Sequence, residues 1–195
     1  MHLIVAPPQA GEWAHLASVK SRLQRNEKLM QLIDESIKLE LNVASLYTIF
    51  HKAFPDDSAF WSKLALEEEH HASLIKDGHA TLIKDGKDLL LSGQEFPHEL
   101  LAPKVQMLVE VNSKLASLLE EYSQNPPSRE AAFNIALNVE ESAGEVHFQR
   151  AMEKSSTSTM MRVFQILNKD DKDHARRIRT YMSDNGIEIR NNLMK

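Results

Sequence analysis

Between Leu64 and Ile75 the chain reads LALEEEHHASLI, three glutamates followed directly by two histidines inside an otherwise largely apolar run. A helix carrying this segment presents either a charged, solvated face or half of a metal site drawn into a helical core. The helical period decides which residues go where. Stepping by three and four from Glu68 meets Trp61, Leu64, Ala65, His71, Ala72, Ile75, His79 and Leu82, a largely apolar stripe. Stepping from Glu67 meets Lys63, His70, Leu74, Asp77 and Thr81, which is mostly polar. Glu68 and His71 are therefore expected to face the core, with Glu67, Glu69 and His70 towards solvent.

A second segment repeats the pattern. Met160, Phe164, Leu167, Asp171, His174, Ala175, Ile178 and Met182 share one helical face, and LNKDDKDHA from Leu167 aligns without a gap on LALEEEHHA from Leu64. Asp171 falls over Glu68 and His174 over His71, at an offset of 103 residues. The helix preceding each segment carries one inward acid. Glu40 lies among Ile33, Ile37, Val43, Ala44 and Tyr47, and Glu140 among Phe133, Ala136, Leu137, Ala143 and His147, at an offset of 100. Glu141 shares its face with Glu130, Asn134 and Glu145, so Glu140 is the inward choice.

Four acids and two histidines on inward faces cannot stay ionised without partners, because burying even one unpaired charge costs several kcal/mol. These faces carry no Lys or Arg to match them. Two divalent cations would neutralise four carboxylates, and imidazole with carboxylate suits iron, manganese or zinc. A dinuclear metal site is the expectation, and a bundle whose buried polar residues satisfy one another is the alternative.

Only 6 Gly and 7 Pro in 195 residues argue for an all-α fold over a sandwich or barrel, which needs many turns. The net charge of −5 offers no basic field for a phosphate backbone, so no nucleic-acid partner is expected. The absence of Cys excludes disulfides, thiolate metal sites and iron–sulfur clusters. No stretch approaches a membrane span, and Leu3 to Ala6 is too short for a signal peptide. The expectation is a soluble, cytoplasmic protein.

Residues 1–25 are weakly patterned, with a short helix from Trp13 to Leu23, and are read as an extension packed on the outside of the domain. A first helix is expected from Asn26 to about Ala53, ended by Pro55. A second is capped by Asp57 or Ser58 and stops at Gly78 or Gly86. Residues 86–103 read as a connection, and 104–122 as a packing helix without a titratable group on its apolar face. Ser128 caps another helix running through Phe148, and a last helix runs from about Thr159 to the Asn185-Gly186 stop. Two helical hairpins, 26–85 and 128–185, separated by a long crossover holding an extra helix, give a four-helix bundle, with 186–195 as a tail.

The segments LALEEEHHA, LNKDDKDHA, ELNVASLY from Glu40 and ALNVE from Ala136 resemble the ferritin-like superfamily, most closely its rubrerythrin-type di-iron proteins. The resemblance covers about residues 26–185. It implies that Glu40 and Glu140 are the single-Glu ligands, Glu68 and Asp171 the carboxylates of the two acid-x-x-His motifs, and His71 and His174 the nitrogen ligands. Tyr47 matches the tyrosine that the family carries near its metals. Three features depart from the pattern. Asp171 is one methylene shorter than the usual Glu, so it would bind one ion terminally or bridge two. His147 stands where the family more often has Tyr, as a group behind the ligands, an extra ligand or a satisfied core histidine, and Ala143 stands where rubrerythrins carry a further Glu. The cysteine-rich rubredoxin domain is also missing.

The functional expectation is an oxidoreductase holding two Fe ions, with Mn or Zn as alternatives, that acts on dioxygen or hydrogen peroxide. With no Cys, its electrons come from an external donor such as a rubredoxin-like protein. The alternatives are an iron-handling ferroxidase or buffer, a non-catalytic metal-binding bundle, and a hydroxylase of an organic substrate. The resemblance also implies a homodimer.

Overall fold

The computed structural model describes residues 10–84, 98–141 and 157–190, with side chains from residue 18 and, in the second stretch, from residue 104. Its regular structure there is helical: α1 (Ala10–Ala53), a 3-10 turn (Pro55–Asp57), α2 (Ser58–Lys84), α3 (His98–Gln124), α4 (Arg129–Glu140) and α5 (Thr159–Asp184). None of these helices is long and apolar enough to cross a membrane.

The first helix is longer than its sequence pattern suggests. The separate Trp13 to Leu23 helix and the boundary near residue 25 are replaced by one continuous element of 44 residues, about 66 Å at the usual rise. Neither Gly nor Pro interrupts the chain between Trp13 and Ala53, and residues 18–24 are mostly exposed, so their weak apolar patterning reflects solvent exposure rather than a helix break. Pro55 does end it, opening the short turn that leads into α2.

Of the two expected stops for α2, Gly78 is not one. The helix continues to Lys84, and a Cβ at Gly78 would lie 3.2 Å from Val163 Cγ2 and 3.3 Å from Met160 Sδ. This glycine therefore permits the close approach of α2 to α5. Gly86, like the rest of 85–97, lies outside the described residues. The supposed connection up to residue 103 is partly helical, since α3 begins at His98.

Helix α3 packs along α1 through Val105, Leu108 and Leu115. The fully buried Asn112 fixes their register: its amide donates to Glu35 at 2.7 Å and accepts from Asn42 at 3.1 Å. Its buried face is not free of titratable groups, because Lys104 is buried and its pKa is lowered by that burial. Ser128 caps α4 as expected, accepting from the Ala131 amide at 3.3 Å, and Ser158 caps α5 in the same way. Gly186, at φ +65°, closes α5, with the Ile187 amide returning to Met182 O at 2.9 Å. The tail then follows α4, where the Asn134 side chain donates to Glu188 O and accepts from the Arg190 amide.

Helix α2 lies against α1 and α5, and α4 lies against α5 and α1. Their shared core has an aromatic cluster around Tyr47, Phe50, Trp61 and Phe133, and an aliphatic cluster around Leu29, Ile33, Ile75, Leu82, Phe164 and Leu167. Along α1, α2 and α5, the inward ionisable residues fall between these clusters.

Candidate metal centre

The helical period places the ionisable side chains as expected except for Glu67. Glu40, Glu68, His71, Glu140 and His174 are buried, Asp171 is nearly so, and Glu69, His70 and Glu141 are exposed. Glu68, His71, Asp171 and His174 each contribute one ligand-type atom to a group whose members all lie within 4.8 Å of one another. Glu68 is central: Oε2 is 3.1 Å from His71 Nδ1 and Oε1 is 2.6 Å from His174 Nδ1. Glu40 approaches His71 Nδ1 at 3.5 Å, Glu140 approaches His174 Nδ1 at 3.6 Å, and Asp171 lies 4.0 Å from His71 Nδ1. The two imidazoles are stacked, with centroids 5.3 Å apart. Tyr47 donates its hydroxyl to Glu140 Oε1 at 2.5 Å, which ties it to this layer. His147 and Ala143 lie outside the described residues, so the place of His147 is not seen.

Without a metal, the layer divides too little positive charge among too many acids. Burial pushes the Glu40 carboxyl well above its ordinary range, with Glu68 and Asp171 adding repulsion against the pull of His71. Burial likewise raises Asp171 well above its usual value, helped by Glu140 and Glu68, and raises Glu140 next to Glu68. For Glu68 burial acts the same way, but His174 and His71 overcome it and hold the pKa at about 2. Burial also disfavours charge on the imidazoles, yet Glu40 and Glu68 push His71 up to about 11, while Glu140 and Glu68 push His174 up to about 10. Two imidazolium ions can thus offset two of the four carboxylates, and the others remain neutral only by holding protons.

One contact departs from this self-satisfied arrangement. Glu68 Oε1 and His174 Nδ1 are buried and 2.6 Å apart, yet neither has a properly aligned hydrogen-bond partner. Once the ring gives up its proton, these two buried atoms lie side by side with no hydrogen bond between them, a pairing that a cation would satisfy. The donor set of four carboxylates and two imidazoles also matches the charge of two divalent ions.

The structure adds residues that the pattern put elsewhere. Glu67, expected towards solvent, is only 33% exposed in its side chain and lies 3.3 Å from His174 Nε2. Asp170 takes the corresponding place, 3.6 Å from His71 Nε2. Each imidazole thus has a carboxylate behind it from the opposite helix, the arrangement that orients a metal-ligating histidine. The signal was present in the repeat, since Glu67 and Asp170 are themselves 103 residues apart. Arg177, which is not on the inward face of α5, reaches the edge of the layer and pairs with Glu67.

No family model matches the chain, and neither a curated protein nor a solved structure matches it significantly.

Proposed function

We propose that this chain is a dinuclear metal protein of the ferritin-like, rubrerythrin-related kind, with α1, α2, α4 and α5 as the bundle helices and α3 in the crossover. The observation carrying the proposal is the convergence of Glu68, His71, Asp171 and His174, with Glu68 Oε1 and His174 Nδ1 2.6 Å apart and without an aligned hydrogen bond. Glu40 and Glu140 complete the ligand set from α1 and α4. Bound iron would supply a redox couple able to reduce dioxygen or hydrogen peroxide, fed by an external donor because the chain has no Cys.

The chain's own residues have separable tasks. Glu68 lies between both imidazoles, where one carboxylate can serve two ions. Glu67 and Asp170 stand 3.3 Å and 3.6 Å from the far ring nitrogens, where their negative charge favours the ring proton on Nε2 and leaves Nδ1 of each ring for metal. Tyr47 holds a proton on Glu140 Oε1 and limits how far that carboxylate swings. The aromatic and aliphatic clusters on either side keep bulk water from the layer.

Metal analysis after iron supplementation tests the proposal. Two ions per chain, lost on Glu68→Ala or His174→Ala, are expected. Fewer than one ion, unaffected by either change, overturns it and leaves the self-satisfied polar bundle. Anaerobic Fe(II) loading followed by peroxide and a reductant separates enzyme from store. Repeated oxidation and reduction marks an oxidoreductase, whereas a single oxidation with retained product marks an iron-handling protein.

A further inference from the structure

The ligand residues repeat nearly symmetrically, but their surroundings do not. Behind His174, the Glu67 carboxylate is gripped at both oxygens by Arg177, with Nη1 3.3 Å from Oε1 and Nη2 on Oε2. Arg177 is itself 21% exposed in its side chain, with Nε 3.0 Å from Asp173 Oδ2. Behind His71, the Asp170 carboxylate is 44% exposed, stands 3.6 Å from the ring, and pairs among the described residues with that ring alone. The reason is legible in the repeat. The residue 103 positions before Arg177 is Leu74, so α2 offers Asp170 an apolar side chain where α5 offers Glu67 a guanidinium.

An outer carboxylate that is fixed orients its imidazole, whereas one free to swing into water spends part of its time elsewhere. The positive charge of Arg177 does not cancel this advantage, since Glu67 and Asp173 balance Arg177 and Arg176 and leave the cluster with no net positive charge. Resting on the dinuclear reading above, we infer that Arg177 is a positioning residue that makes the His174 position the tighter of two unequal metal positions. The His71 position, backed by the exposed Asp170, is then the one that fills last and exchanges with solvent. One ion is resident and the other is transient.

Titration of the metal-free full chain with Co(II) against a competing chelator, followed by the cobalt absorption bands, reads the two positions separately. The expected result is two resolved steps. Arg177→Gln should weaken the first about 10–100-fold and leave the second within about twofold, while Arg177→Lys recovers part of the loss. Asp170→Asn should move the second step alone. Thermal melting of each metal-free variant checks that the fold persists, and if Arg177→Gln does not fold, Glu67→Gln must shift the same first step. Two indistinguishable steps in the natural chain, or both steps shifting together in Arg177→Gln, overturn the inference while leaving the dinuclear reading intact. Failure of the natural chain to bind Co(II) overturns both.

Discussion

Glu68 and Asp57 are equally buried, each 2% exposed, yet their surroundings differ. Asp57, at the turn into α2, receives Arg129 Nε and Nη2 at 2.7 Å each and the Tyr181 hydroxyl at 2.9 Å. Arg129 holds its carboxyl below the ordinary range against burial, and nothing more is required. Glu68 faces three other acids and two imidazoles, and one of its oxygens has no aligned donor. The comparison shows what makes a buried acid informative. Burial by itself indicates a structural role as readily as a ligand, and the shortage of matching cations points to metal.

Metal should separate the two acids most strongly. At a free-ion concentration a thousandfold above the dissociation constant, loading stabilises the fold by about 4 kcal/mol, or roughly 10 °C in melting temperature for a chain of this size. Glu68→Ala should abolish that gain in paired melts with and without metal. Arg129→Ala should preserve it.

A smaller effect lies at the other acid. Arg129→Ala leaves Asp57 with Tyr181 as its remaining donor and should cost about 2 kcal/mol in denaturant titrations. The loss should be the same with and without metal, because this pair has no part in the ionisable layer. A different loss in the two states would mean that the turn and the layer are coupled.

The pH dependence follows from the shifted groups. His71 and His174, raised to about 11 and 10 from an ordinary 6.5, stabilise the metal-free protein fully below about pH 6.5 and lose that contribution as pH climbs through their folded values. The raised carboxyls of Glu40, Glu140 and Asp171 slope the same way, since they resist ionisation when folded. Glu68 opposes them only in acid, contributing above about 4.5 and fading as pH falls through about 2. Metal requires unprotonated ligand atoms, so loading at neutral pH should release about four protons, two from the imidazoles and two from the protonated carboxyls. Calorimetry in buffers of different ionisation heat measures that release. The melting-temperature gap between loaded and metal-free protein should widen from pH 6 to 9.

The smallest effect is the most discriminating. Glu40 already resists ionisation in the metal-free layer, so Glu40→Gln should change metal-free stability by no more than about 0.5 kcal/mol while lowering metal content. A large loss without metal would show that Glu40 works as an anion like Asp57.

Much of this was legible in the chain. Helical spacing separated Glu68 and His71 from Glu69 and His70, and chose Glu140 over Glu141, because a residue's direction from its helix axis depends only on its own neighbours. Ser128 and Gly186 marked helix ends for equally local reasons. The length of α1 was obscured because its N-terminal part lacks the apolar stripe on which periodicity depends.

The sequence by itself determined an all-helical chain with six ionisable side chains turned inward and a repeat relating them. Only the tertiary structure decided how far each helix slides along its neighbour, and therefore which side chains meet. That stagger puts Glu67 behind His174, Arg177 on Glu67, Tyr47 on Glu140 and Arg129 on Asp57. Each of these contacts joins two helices, or a helix and a turn, far apart in sequence. The helical period fixes rotation about an axis but not position along a partner, and close packing of the apolar clusters on either side sets the latter.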